Sequence, residues 1–279
     1  MCCEVGNFPE SCSLEGASLK DSSKESLAAA QWTTLVAQST LQGGTANYFA
    51  SADHNTRYTH IRFNIFPDGG VARLRVYGRV VPDFPALVAA SKSVSASVGS
   101  SVSSSIVPSG LVDVASVVNG AQVVTSNDAF FGSHSNLILP GRAATMGDGW
   151  ETRRKRVLPG HDWIIVSLGA KAKIKFVEVD TNWFKGNFPD SACIEGLYLD
   201  PESAETKKIQ PHDFHRVEAN AWMAGFVEIL PQVKLQASHQ HYYAEKDLKN
   251  TDKVITHIRM KIFPDGGISR LRMWGEVQL

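Results

Sequence analysis

A repeat constrains this chain more than any other feature. Residues 59–78 read THIRFNIFPDGGVARLRVYG and residues 256–275 read THIRMKIFPDGGISRLRMWG, identical at 14 of 20 positions. A second pair precedes each, GNFPESCSLEG at 6–16 and GNFPDSACIEG at 186–196, identical at 7 of 11 positions. The order is the same in both halves, so one ancestral unit occurs twice. At roughly 150 residues per domain, 279 residues also divide into about two domains. The second unit is the longer: it starts near Gly110, and the sequence carries no counterpart of residues 117–185 ahead of Gly6. Between the units, residues 91–105 hold nine serines and little to bury, the composition of a loosely extended linker. The expected organisation is a truncated first repeat over 1–88, a Ser-rich linker over 89–110 and a complete second repeat over 111–279.

Short β signals dominate. Ile61, Phe63 and Ile65 alternate with polar residues, Pro67-Asp68-Gly69-Gly70 follows, and Leu74 and Val76 then alternate with Arg73 and Arg75. That pattern predicts a hairpin with a Gly-dependent turn, repeated around Pro264-Asp265-Gly266-Gly267. Residues 163–169 and 174–180 read as two further strands parted by a Gly-Ala-Lys-Ala turn. Helical periodicity is confined to Ser22–Ala30 and Asp213–Ala219. The expected fold class is all-β, with two tandem jelly-roll sandwiches, the first incomplete.

Charge narrows the function. Lys plus Arg and Asp plus Glu are 28 each, so no global basic excess argues for a nucleic-acid or membrane-surface partner. No window approaches the roughly 18 apolar residues of a membrane span. Cys2, Cys3, Cys12 and Cys193 match neither a disulfide framework nor a zinc ribbon, and residues 1–20 lack an apolar run. A soluble, cytoplasmic protein is expected.

Three groups of residues carry candidate chemistry. The expected hairpin sets His257, Arg259, Arg270 and Arg272 on one parity of two strands, as it does His60, Arg62, Arg73 and Arg75. The result is either a guanidinium face for a carboxylate or a solvated outer sheet surface. Residues 151–156, Glu-Thr-Arg-Arg-Lys-Arg, form the densest charge cluster, an exposed basic loop or an anion site. Asp148, Glu151, His161 and Asp162 bracket its cations and supply a candidate base. His239 with His241, and His212 with His215, have metal-like spacing but no evident third ligand, which favours structural histidines. Neither cofactor nor metal is expected.

The pieces Asp128-Ala129-Phe130-Phe131, Gly149-Trp150-Glu151-Thr152-Arg153-Arg154, Gly160-His161-Asp162-Trp163 and Gly186-Asn187 resemble the allantoicase family, as do the twice-used His-Ile-Arg, Phe-Pro-Asp-Gly-Gly and Arg-Leu-Arg. The resemblance implies two tandem jelly-roll units of the galactose-binding-like type. It also implies hydrolysis of allantoate to ureidoglycolate and urea in purine (allantoin) catabolism. Such a site needs cations for the substrate carboxylate and a proton donor for departing urea. Arg153, Arg154, His257, Arg259, Arg270 and Arg272 are then the substrate-binding candidates, and Glu151, His161, Asp162 and Asp265 those for proton transfer. The implied partner is a small molecule, with no nucleic acid or membrane, and a homo-oligomer stays open. The shortened first unit sets a further expectation of impaired or absent activity. The alternative is a catalytically silent sandwich binding a small ligand or carbohydrate.

Overall fold

Alternating apolar segments become strands in the computed structural model, which describes residues 6–93, 106–200, 202–215 and 225–279. They gather into two units, residues 1–79 and 80–279.

Unit 1 holds β1 (Ser11–Ala17), the short helix α1 (Lys24–Ala28), β2 (Thr33–Thr40) and β3 (His60–Phe66). The strands form one antiparallel sheet in the order β2-β1-β3, with Cys12 opposite Ile65 and Glu15 opposite Arg62. α1 falls within the expected Ser22–Ala30 helix and is capped by the Ser23 hydroxyl, which accepts from the Ser26 N–H at 3.2 Å. Cys12, Ala17 and Leu35 are buried. Residues 71–80, expected to return as the second hairpin strand, form no strand and are exposed throughout.

Unit 2 opens with α2 (Phe84–Ser93), a helix the sequence reading did not anticipate; it covers residues 89–93 of the expected linker. The Asp83 carboxylate accepts from the Ala86 N–H at 3.0 Å, and Pro85 sits in the first turn, where no N–H is needed. Linker residues 94–105 lie outside the described residues. There follow β4 (Val112–Asp113), β5 (Gln122–Ser126), β6 (Trp150–Glu151), β7 (Asp162–Asp180), β8 (Ser191–Leu197), β9 (Val227–Lys234), β10 (Gln240–Ala244), β11 (Ile255–Phe263), β12 (Gly267–Ile268) and β13 (Arg270–Val277). In place of the Asp213–Ala219 helix there is a 3-10 turn over Pro211–His215; residues 216–219 lie outside the described residues.

β7 organises this unit and corrects two expectations. It is one 19-residue strand, not two parted by a turn. Its first half pairs with β5 and β11, and its second half with β10 and β13. A reversing turn would have paired the halves with each other; instead the strand runs on past Gly169 and takes different partners along each half. A Cβ at Gly169 would stand 1.8 Å from the Asn119 carbonyl oxygen, so that close approach excludes a side chain.

The second correction concerns the hairpin. β11 and β13 do not pair: β11 lies between β7 and β8, and β13 between β7 and β4. Pro264–Gly267 carries the chain from β11 to β12, which pairs with β6, and on to β13 on the other side of β7. Its backbone is engaged elsewhere, since the Gly267 N–H donates to the Asn187 carbonyl at 2.8 Å. Gly266, at φ 135°, lies where a Cβ would meet the Asn187 oxygen at 2.7 Å. The two motifs that recur together in sequence therefore dock on each other.

The all-β expectation holds, and unit 2 is a sandwich of jelly-roll type. Ile164, Val166, Ile194, Ile258, Met260 and Ile262 from one side meet Ile174, Val177, Val179, Leu271 and Met273 from the other in one buried cluster.

Candidate functional site

Two loops and the start of β7 form a shallow cleft of about 190 Å³, lined by Asn127, Asp128, Arg153, Arg154, Lys155 and Asp162. The buried Trp150 fixes its floor, its indole N–H donating to the Asp128 carbonyl at 2.8 Å. The Phe130 and Phe131 N–H groups both donate to the Glu151 carbonyl, which ties residues 127–131 to β6. Beyond β6, the Thr152 N–H donates to the Gly266 carbonyl at 3.1 Å, and the Lys155 N–H donates to Asp265 Oδ2 at 2.7 Å. The turn between β11 and β12 thus holds the basic loop in place.

The cleft's charges are unequally committed. Asp128 grips Arg153 three times: at the backbone N–H (2.6 Å), Nε (3.1 Å) and Nη2 (2.9 Å). Asp162 is buried, accepts from Asn127 Nδ2 at 2.8 Å and pairs with the Lys155 ammonium. Its Oδ2 is enclosed and has no hydrogen-bond partner among the described residues. Arg154 is exposed and makes no ion pair among the described residues, so its fork is the one available to an incoming anion.

Of the residues nominated from sequence, Arg153, Arg154 and Asp162 come together here, with Asp265 bonded to the loop from below. Glu151 stands beside them but turns its carboxylate to Asn187 Nδ2 at 2.5 Å. His161 precedes Asp162 and packs on the Phe263 ring, centroids 5.3 Å apart. Burial, with the charges of Lys261, Arg259 and Lys155, holds its imidazole below the usual range, so it is neutral at pH 7.

The single cationic face does not form, because β11 and β13 do not pair with each other but run along different stretches of β7. His257 and Arg259 lie on the outer side of β11. Burial pushes His257 down to about 4, with Phe214 stacked on its ring. Arg259 Nε donates to Glu195 Oε2 at 2.6 Å, and its guanidinium lies 4.4 Å from the Phe226 ring centroid. Arg270 and Arg272 lie on β13 instead. Arg270 is buried and donates to the Asp148 carbonyl at 2.6 Å, while Arg272 is 3.6 Å from Asp113 and 3.9 Å from Glu178. Asp148 itself caps the turn before β6 by accepting from the Ala144 and Thr145 N–H groups.

Sequence reasoning missed Asn127 and Asp128 as cleft residues, while Lys155 belongs to the 151–156 cluster it had marked as a possible anion site. Asp128 anchors its loop through its backbone carbonyl and orders Arg153 through its carboxylate. The buried pair Glu178 and Asp180, bound by Arg142, was missed as well, because acidic residues inside an apolar strand give no signal until the strand is known to face them. The rings of His239 and His241 do meet, 4.8 Å apart. Both nitrogens of His241 are engaged, by the Val179 carbonyl and the Gln236 N–H, and His215 bonds Thr125, which favours the structural reading.

The Allantoicase repeat family matches this chain over residues 3–81 and 112–278. A probable allantoicase from Ralstonia nicotianae is 41% identical over 98% of this chain and 70% of its own length. An allantoicase from Dictyostelium discoideum is 38% identical over 96% of this chain and 64% of its own length. A crystal structure of allantoicase from Saccharomyces cerevisiae superposes with a TM-score of 0.65 at 30% identity, covering 97% of this chain and 69% of that one.

Proposed function

The chain belongs to the allantoicase family, and on that premise we propose that it hydrolyses allantoate to ureidoglycolate and urea, a step of purine catabolism, at the cleft of unit 2. The chain spans 64% and 70% of the lengths of the two relatives just described, so activity of this length of polypeptide is the quantity to measure. The observation that carries the reading is Arg154: an uncommitted guanidinium beside an enclosed, ion-paired carboxylate.

The reaction adds water to the substrate's central carbon and breaks its bond to one ureido nitrogen, which leaves as urea. Arg154 takes the substrate carboxylate, with Arg153 held alongside by Asp128. His161, which adjoins Asp162 in the chain and packs on Phe263 rather than lining the cleft, is assigned the proton from water. Lys155, held on Asp162, is the cation in the cleft able to protonate the leaving nitrogen. Asp265 and Glu151 position the loop. Arg270, Arg272, His257 and Arg259 are bound to protein partners or covered, and serve the sheets.

Urea release from allantoate by the full chain tests this. Arg154→Ala is expected to raise KM about 10- to 100-fold with a smaller effect on kcat, the signature of lost ground-state binding. Asp162→Asn is expected to lower kcat by about 10²-fold or more while the far-ultraviolet circular dichroism stays unchanged. Allantoate binding without urea would favour the silent-binder reading. Full activity in both variants would place the chemistry outside this cleft.

A further inference from the structure

Glu151 is the carboxylate nearest in sequence to the cleft's cations, with Arg153, Arg154 and Lys155 following within the next four residues. Turned toward them, it would pair with Arg154 and compete with any incoming anion. A neighbour holds it elsewhere. Asn187 Nδ2 donates to Glu151 Oε1 at 2.5 Å and also reaches Met146 Sδ at 3.3 Å. Asn187 is itself held from behind: its carbonyl accepts the Gly267 N–H at 2.8 Å, and the next residue, Phe188, packs against the buried core.

The repeat separates the two tasks of this residue. In unit 1 the Asn7 carbonyl accepts the Gly70 N–H at 2.9 Å, the same backbone contact, so docking of Gly-Asn-Phe-Pro on Pro-Asp-Gly-Gly belongs to the main chain. The side-chain amide of Asn187 is left to engage Glu151. The geometry points to Asn187 as a positioning residue that keeps the Glu151 carboxylate off the basic loop and so leaves Arg154 to the substrate. That role presupposes the binding of allantoate by Arg154 proposed above. An amide suits the task. Its N–H donates to the carboxylate, yet it adds neither a cation that would draw the substrate anion out of the cleft nor an anion that would repel Glu151.

The test places Asn187→Ala and Asn187→Asp in the full chain and again in a Glu151→Gln background, which keeps the shape of Glu151 without its charge. Urea release gives KM and kcat, and calorimetry gives the Kd of allantoate. With Glu151 present, Asn187→Ala is expected to raise KM and Kd about tenfold with kcat within about twofold, because the released carboxylate competes with the bound ground state. Asn187→Asp has the shape of the parent residue but sets like charges against each other, and is expected to raise both constants at least as far. In the Glu151→Gln background each rise is expected to shrink below about twofold, a rescue that a merely structural role would not produce. A rise that persists in that background overturns the proposal. Arg154→Ala is the reference. If it raises KM and Kd while Asn187→Ala does not, the positioning role falls and the cleft reading stands; if it leaves both unchanged, the cleft reading falls and the positioning role with it.

Discussion

β1 with β3 and β8 with β11 are nearly the same object built twice. Arg62 Nε reaches Glu15 at 2.7 Å and Arg259 Nε reaches Glu195 at 2.6 Å; Asn64 and Lys261 each add a bond to the same glutamate at 2.8 Å. Each arginine lies 4.4 Å from an aromatic centroid, Trp32 in one unit and Phe226 in the other. The Thr59 and Thr256 hydroxyls each accept a backbone N–H at 2.8 Å, and the Gly70 and Gly267 N–H groups find Asn7 and Asn187. What differs is burial. Polar geometry on a strand pair is set by that pair's own residues, whereas burial of its other face waits on β7, which is distant in sequence and present once.

The sharpest way to break this comparison is to truncate matched leucines. Leu271→Ala opens a cavity in a closed core and is expected to destabilise unit 2 by about 4 kcal/mol. Leu74→Ala removes an exposed side chain and is expected to change the unfolding of unit 1 by less than about 0.5 kcal/mol. Urea unfolding of both variants checks this, and equal losses would mean that unit 1 is covered in solution.

The same asymmetry shows what was legible beforehand. The repeat, the all-β class and the Arg-Arg-Lys loop could be read directly, because identity, alternation and charge density are local properties. The pairing of β11 and β13 could not. Phe-Pro-Asp-Gly-Gly reads as a hairpin turn in isolation, and only contact with residues 187–189 and a 19-residue β7 that lies between β11 and β13 show that the flanking strands do not pair. The cationic face was lost because the two strands, read as a pair, lie on either side of β7 instead. Asp128 and Asn127 escaped because their role depends on Trp150 and Asp162, more than twenty and thirty residues away.

A second prediction uses His257, whose covered ring titrates at about 4 against a usual 6.5. Between those values the unfolded chain binds the proton and the folded unit does not, so stability is fully present above about pH 6.5 and falls as pH drops toward 4. At 1.36 kcal/mol per pH unit the loss is about 3 kcal/mol. His257→Gln is expected to flatten the pH dependence of unit 2 unfolding by about that amount. Asp113, raised to about 6 by burial, acts with the opposite sign, but it is present in both proteins and cancels in the difference. Identical pH profiles for parent and variant would show that the ring is open to solvent.

The smallest effect probes the feature the units share. Arg259 is 12% exposed and Arg62 45%, yet their contacts with glutamate and aromatic ring have matching distances. If geometry alone set the energy, double-mutant cycles through Arg259→Ala with Glu195→Ala and through Arg62→Ala with Glu15→Ala would return equal couplings. Solvent breaks the symmetry: the drier pair feels a lower effective dielectric and less screening, and is expected to couple by about 1–2 kcal/mol, with the wetter one coupling more weakly. Raising salt should erode the coupling of Arg62 and leave most of that of Arg259. Equal couplings at low salt would place both arginines in the same environment, and the contrast between the units would then reduce to their apolar faces.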